Sequence, residues 1–269
     1  MSRWPSAAAA AWQCLLSADP VEKCALTAEA AQAIHAGQVH GDPKPEFPAQ
    51  SLPAPGRPAR PVLVQPRELK SRGLGSVQGR AALLHAVAHI EFNAINLAWD
   101  AVYRFRQVPG DYVRDWASVA ADEARHFQLV KARLERLGFA YGDFPAHDGL
   151  WQMARATEDA LSSRMALVPR LLEARGLDVT PPMISGLRAA GDDASVEVLE
   201  VILREEVRHV EIGTRWFRWA CLKEGREPTS HFLELLRTRA PGRVRPPFNE
   251  AARLAAGFTA DELRQLSTL

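Results

Sequence analysis

Cysteine is scarce in this chain. The three present among 269 residues, Cys14, Cys24 and Cys221, form an odd set with no Cys-x-x-Cys pair. That argues against a disulfide framework and against a thiolate metal site, and it suits a reducing cytosol. Lysine is also rare, at five of the 33 basic residues, a bias read here as compositional. No charge of one sign dominates: the formal net charge is +1, which gives no support for nucleic-acid binding. No apolar run approaches the ~18 residues needed to cross a bilayer. The alanine-rich start is interrupted by Gln13 and followed by Asp19, Glu22 and Lys23, so it does not read as a signal peptide. A soluble, cytoplasmic protein without a membrane partner is expected. Strand-type alternation of any length is missing too, which leaves an all-α fold.

Four regions are expected. Residues 1–37 read as a helical hairpin, with short helices over 6–17 and 27–36, the second opened by Thr27 and Glu29. Residues 38–77 carry Pro43, Pro45, Pro48, Pro53, Pro55, Pro58, Pro61 and Pro66, which favour extended backbone. A disordered linker is the alternative. Phe47, Val62, Leu63 and Val64 favour a strap anchored across the surface. Residues 78–225 hold four long helices, over about 78–106, 111–137, 150–175 and 192–224, with a short helix-like piece between Thr180-Pro181-Pro182 and Gly191. Gly138, Gly176 and Gly225 read as helix stops. Residues 226–269 form a helical extension, with a helix near 229–239 and a last one opened by the capping box Thr259-x-x-Glu262.

Two stretches echo each other: Asp122-Glu123-Ala124-Arg125-His126 and Glu205-Glu206-Val207-Arg208-His209. On a helix, Glu and His three residues apart share one face and reach a common point. Each Glu-x-x-His has another Glu upstream at matching distance: Glu91 lies 32 residues before Glu123, and Glu173 lies 33 before Glu206. A four-helix bundle holds two metal ions in this way, with one Glu from each of two helices and Glu-x-x-His from each of the others. Carboxylate and imidazole suit iron or manganese, so two Fe ions are expected, with Mn or a mixed pair also compatible. Four Glu and two His would neutralise two divalent ions in a low-dielectric core.

Solvated surface residues are the bland alternative. Against it, Glu123 shares its helical stripe with Val119, Ala120, Phe127 and Val130, and Glu206 with Leu199, Ile202, Leu203, Val210 and Gly213. Glu158 competes with Glu173 on the same expected helix. The spacing favours Glu173, although Gly176 places it near the helix end. Asp122 and Glu205 are exposed acids or, more sharply, carboxylates that accept the free ring N–H of a ligand histidine, each serving the His of the other motif. Arg125 and Arg208 can pair with these acids. His85 and His89 read as structural. Tyr103, Tyr112 and Tyr141 are not singled out by position.

These motifs resemble the ferritin-like di-iron carboxylate superfamily. More closely, His89-Ile-Glu-Phe-Asn, Asp122-Glu-Ala-Arg-His-Phe, Tyr141-Gly-Asp-Phe-Pro-Ala-His, Glu173-Ala-Arg-Gly-Leu-Asp and Pro241-Gly-Arg-Val-Arg-Pro-Pro-Phe-Asn resemble domain-of-unknown-function family 455. The resemblance implies a ferritin-like four-helix bundle and metal positions at Glu91, Glu123, His126, Glu173, Glu206 and His209. It implies no particular reaction. The leading expectation is an oxidoreductase that activates O2 on a small molecule, with an electron-donor protein as partner. An RNA substrate is the analogy offered by tRNA-modifying relatives, and the near-zero charge does not favour it. Ferroxidase or storage protein and metal-free helical scaffold are the alternatives, and an oligomer is compatible with any of them.

Overall fold

The protein is described by a computed structural model covering residues 3–42, 48–70 and 72–269. Among these residues the regular structure is helical, and the single β-type contact is an isolated bridge between Leu63 and Ala146. No described helix is long and apolar enough to cross a membrane.

The centre of the molecule is a pair of long helices, α3 (Val77–Arg104) and α4 (Gly110–Arg136). Ser76 caps α3 by accepting from the Gly79 N–H. The short connection through Pro109 turns the chain back, so the two pack as antiparallel neighbours. Gly138, at φ +84°, closes α4 in the left-handed conformation that glycine adopts without steric cost. A second pair packs on the first through α4. It consists of α6 (Leu161–Leu167) and α7 (Ala174–Ala189), joined by a π-type segment over Val168–Glu173, against α8 (Asp193–Glu224). Asp192 caps α8 and Gly225, at φ +65°, ends it. Trp99, Trp116, Phe92, Phe127 and Phe217 fill the interior.

The peripheral elements lie on this core. Helices α1 (Ala7–Leu16) and α2 (Pro20–His35) pack on α3 and α4 respectively. The expected start of α2 at Thr27 is wrong. Asp19 caps the helix by accepting from the Val21 and Glu22 N–H groups, and Pro20 opens it. Thr27 is buried at mid-helix and accepts from Trp99 Nε1. The described part of the strap is mostly irregular and extended, with one short 3-10 turn over Pro66–Glu68. Gly56 donates to the Leu15 carbonyl, Gln50 to Tyr103 Oη, and Val64 to the Ala146 carbonyl. A Cβ at Gly56 would lie 2.2 Å from the Leu16 carbonyl oxygen, so only glycine allows this crossing. Leu63 and Val64 are half-buried and Val62 is exposed, whereas Pro43, Pro45 and Phe47 lie outside the described residues. In the C-terminal part, α9 (Pro228–Arg239) and α11 (Ala260–Leu266) match expectation. The short α10 (Glu250–Ala255), capped by Asn249, was not foreseen.

The third long helix differs most from expectation. α5 (Gly149–Ala156) is separate from α6, because Thr157 Oγ1 bonds back to the Met153 and Ala154 carbonyls and also accepts from the buried Arg164. Arg164 in turn pairs with buried Asp100. At its other end the helix does not stop at Gly176. It runs through Pro181 and Pro182 to Ala189. Gly176 is not in the left-handed region, so it ends nothing. Leu177, Ile184 and Leu187 form a buried stripe, and Pro182 faces solvent, where a missing backbone donor costs little.

Candidate metal centre

Four segments bring the echoing motifs to one point. α3 presents Glu91, α4 presents Glu123 and His126, α8 presents Glu206 and His209, and the end of the π-type segment carries Glu173. Glu91, Glu123, His126 and His209 are buried, and Glu206 is the most open of these α3, α4 and α8 residues, with a side chain 13% exposed. Glu91, Glu123, His126 and Glu206 each offer one ligand atom, and these atoms all lie within 4.8 Å of one another.

Glu123 sits between the two imidazoles. Its carboxylate is 2.8 Å from His209 Nδ1 and 3.5 Å from His126 Nδ1, and Glu91 is 3.3 Å from His126 Nδ1. Glu206 lies 3.7 Å from His209 Nδ1. The opposite ring nitrogens point the other way and cross between the motifs. His126 Nε2 is 2.8 Å from Glu205, and His209 Nε2 is 3.2 Å from Asp122. Arg125 bonds to both Asp122 and Glu205; Arg208 donates to Asp122 at 3.2 Å and to Ser118 Oγ at 2.9 Å. Ser118 carried no signal in the sequence. It lies one turn before Asp122, and only the approach of α8 gives it a partner. With Nε2–H donating to a carboxylate, each ring turns its Nδ1 inward.

Seven buried polar atoms here lack a hydrogen-bond partner: Glu91 Oε2, both Glu123 oxygens, His126 Nδ1, Glu173 Oε2, Glu206 Oε2 and His209 Nδ1. Some of these approach within ion-pair distance but without hydrogen-bond direction, as lone pairs converging on one space do. A buried polar atom left unpaired costs about 1–3 kcal/mol, so seven together call for a common partner. Burial and the charge of Glu123 raise Glu91 well above the usual carboxylate range. Burial with Glu206 and Glu123 does the same to Glu173, and burial with Glu123 raises Glu206. Burial would raise Glu123 as well, but the two imidazoles hold it far below that range. Burial opposes charge on His126, yet its contacts with Glu123 and Glu91 push it up to about 11. The donor set, mostly oxygen with two imidazoles and no sulfur, fits divalent first-row ions.

Glu173 and Glu158 are separated by the break in the third helix. Glu158 lies beyond α5, where Arg104 at 3.4 Å and Ser51 at 3.1 Å hold it away from the cluster. Glu173 faces Glu206 and Glu123 electrostatically, with Oε2 buried. His85 and His89 are buried elsewhere on α3. His85 Nε2 accepts from the Gly142 N–H at 2.9 Å, and His89 meets Tyr141 Oη and the His147 carbonyl. Tyr141 also packs on Phe92 and Phe127, the neighbours of Glu91 and His126. Tyr103 and Tyr112 hydrogen-bond to backbone, at Gln50 and Ala101.

Fold and site thus define an all-helical protein with a buried glutamate–histidine cluster. The chain belongs to the family described as Protein of unknown function (DUF455), which matches residues 16–264. It is 46% identical over 213 residues to an uncharacterised protein of Haemophilus influenzae, covering 77% of this chain and 74% of that one. No solved structure gives a significant match.

Proposed function

We propose that the cluster holds two divalent transition-metal ions, Fe or Mn, within a ferritin-like bundle, and that the protein is an oxidoreductase acting on O2 and a small organic molecule. The observation that carries this reading is the convergence of seven unpartnered buried atoms from Glu91, Glu123, His126, Glu173, Glu206 and His209. No protein group satisfies any of the seven by a well-directed hydrogen bond. Such ions, when bound, supply redox and Lewis-acid chemistry. The chain's own residues do the positioning. Glu123, between the two imidazoles, would help hold the metal, and Asp122 and Glu205 hold the rings with Nδ1 inward. Arg125 and Arg208 keep those two acids charged and in place. The partly open side of Glu206 is where a small molecule would approach.

The test is metal analysis after anaerobic Fe(II) loading of the full chain. About two ions per chain are expected in the wild type and in Glu158→Gln, and fewer in Glu173→Gln and Glu123→Ala. No bound metal in the wild type would overturn the proposal. O2 consumption by the reduced, loaded protein then separates the oxidoreductase from a store. A large shell-forming oligomer taking up many ions per chain would instead assign storage.

A further inference from the structure

The two halves of the glutamate–histidine cluster are not equally built. Glu91, Glu123, His126 and Glu206 turn one ligand atom each into a space where all four lie within 4.8 Å of one another. Their own contacts hold them there. His126 Nδ1 has Glu91 at 3.3 Å and Glu123 at 3.5 Å, and its Nε2 is fixed from behind by Glu205 at 2.8 Å. Glu206 lies 3.7 Å from His209 Nδ1. The donors left over are His209 and Glu173. His209 is held as well, with Glu123 at 2.8 Å from its Nδ1 and Asp122 at 3.2 Å from its Nε2.

Glu173 is the exception. Among the described residues its carboxylate makes no hydrogen bond and no ion pair, and its Oε2 is buried without a partner. Every other glutamate of the cluster lies within 3.7 Å of an imidazole nitrogen. His209 is met by Asp122, Glu123 and Glu206, and not by Glu173. The backbone differs too. Glu91, Glu123 and Glu206 stand inside regular α-helices, whereas Glu173 is the last residue of the π-type segment. One turn further on, Gly176 has no atom within 4 Å of where a Cβ would stand, so the chain leaves open space there. An unheld glutamate has rotamer freedom to lose when it takes a ligand, and the gathered donors have lost theirs already.

We propose that the cluster fills in two steps. The first ion is held by Glu91, Glu123, His126 and Glu206. The second is held by His209 and Glu173, and more weakly, because Glu173 must be ordered to reach it. The filling order rests on the two-ion reading of the cluster and gives that centre a regulation. Where free metal is scarce the chain carries one ion, and the two-ion state forms only as metal rises. The test is titration of the metal-free full chain with Mn(II), followed by calorimetry and by the electron paramagnetic resonance of the free ion. One tight and one weaker ion per chain are expected, at least about tenfold apart in affinity. Repulsion between neighbouring ions would also separate the steps, so two variants decide. Glu173→Gln should remove the weak step and leave the tight one unchanged. Glu91→Gln should weaken the tight step by at least about tenfold, with helicity unchanged in both variants. Equivalent halves predict instead that the two variants titrate alike. That result, two ions of equal affinity in the wild type, or loss of the tight ion in Glu173→Gln would overturn the filling order and leave the metal centre standing. No bound ion in the wild type would overturn both.

Discussion

Four buried histidines on α3, α4 and α8 divide into two physical kinds. His126 and His209 face carboxylates from three directions, so their charged forms are favoured despite burial. His85 and His89 lack such partners, and burial lowers both to about 4. His85 yields a stability prediction with a definite sign. Between pH 6.5 and 4 the unfolded chain binds a proton that the folded chain does not, so the contribution of His85 is complete above 6.5 and lost as pH falls to 4. The size is about 3 kcal/mol. Gln in place of His85 keeps an acceptor for the Gly142 N–H and removes the titration. Urea denaturation across that range should show the wild type losing about 3 kcal/mol more than His85→Gln; parallel curves would show that His85 is not a titrating liability. This distinction was partly legible. Spacing from Glu set His126 and His209 apart, but the hydrogen-bond partners of His85 and His89 lie in the loop at 141–147, which no periodicity places against α3.

The element that most shapes the centre is the third long helix. Its π-type segment begins with Val168 and Pro169, and α8 comes so close that a Cβ at Gly213 would lie 2.3 Å from Pro169 Cβ. Gly213 stands seven residues after Glu206, on the stripe that faces the cluster, so its lack of a side chain lets α8 approach the π-type segment at Pro169. Gly213→Ala should therefore cost about 1–3 kcal/mol in chemical denaturation, since a proline ring cannot swing away. Gly176→Ala is the internal contrast: it is helical, with no atom within 4 Å of its Cβ position. That change should stabilise by about 0.5–1 kcal/mol. Equal effects from the two would remove the packing argument. Reading Gly176 as a stop failed because a glycine ends a helix only where the backbone turns left-handed, as at Gly138 and Gly225. The same local reading missed Asp19-Pro20 as the start of α2, although both residues carry the signature of a helix start.

For the whole molecule, the metal-free state gathers four carboxylates in a buried space where three of them are held above their usual range. Ions that bind only the folded chain should then raise its stability by mass action, by about 2.7 kcal/mol at a free concentration one hundred times the dissociation constant. Thermal unfolding should shift upward on anaerobic Fe(II) addition and return on chelation. The shift should be absent in Glu123→Ala. An identical shift in that variant would place the bound metal elsewhere. The surrounding pieces work at this scale as well. The α1–α2 hairpin and the strap cover α3 and α4, and α10 and α11 close over the second pair through Arg253 on Asp178 and Arg170 on Glu262.

By itself the sequence determined the helical class, the main helices and the two Glu-x-x-His faces, because helical periodicity and capping are local properties of the chain. It also marked Asp122 and Glu205, through their fixed place beside each motif. Only the tertiary structure decided that Arg104 and Ser51 hold Glu158 away from the cluster, that the acids cross to opposite histidines, and that Arg170 ends buried with two donors unmet. Each of those outcomes depends on which elements touch, and on side chains brought together from positions up to 107 residues apart. A one-dimensional pattern holds no record of such distances.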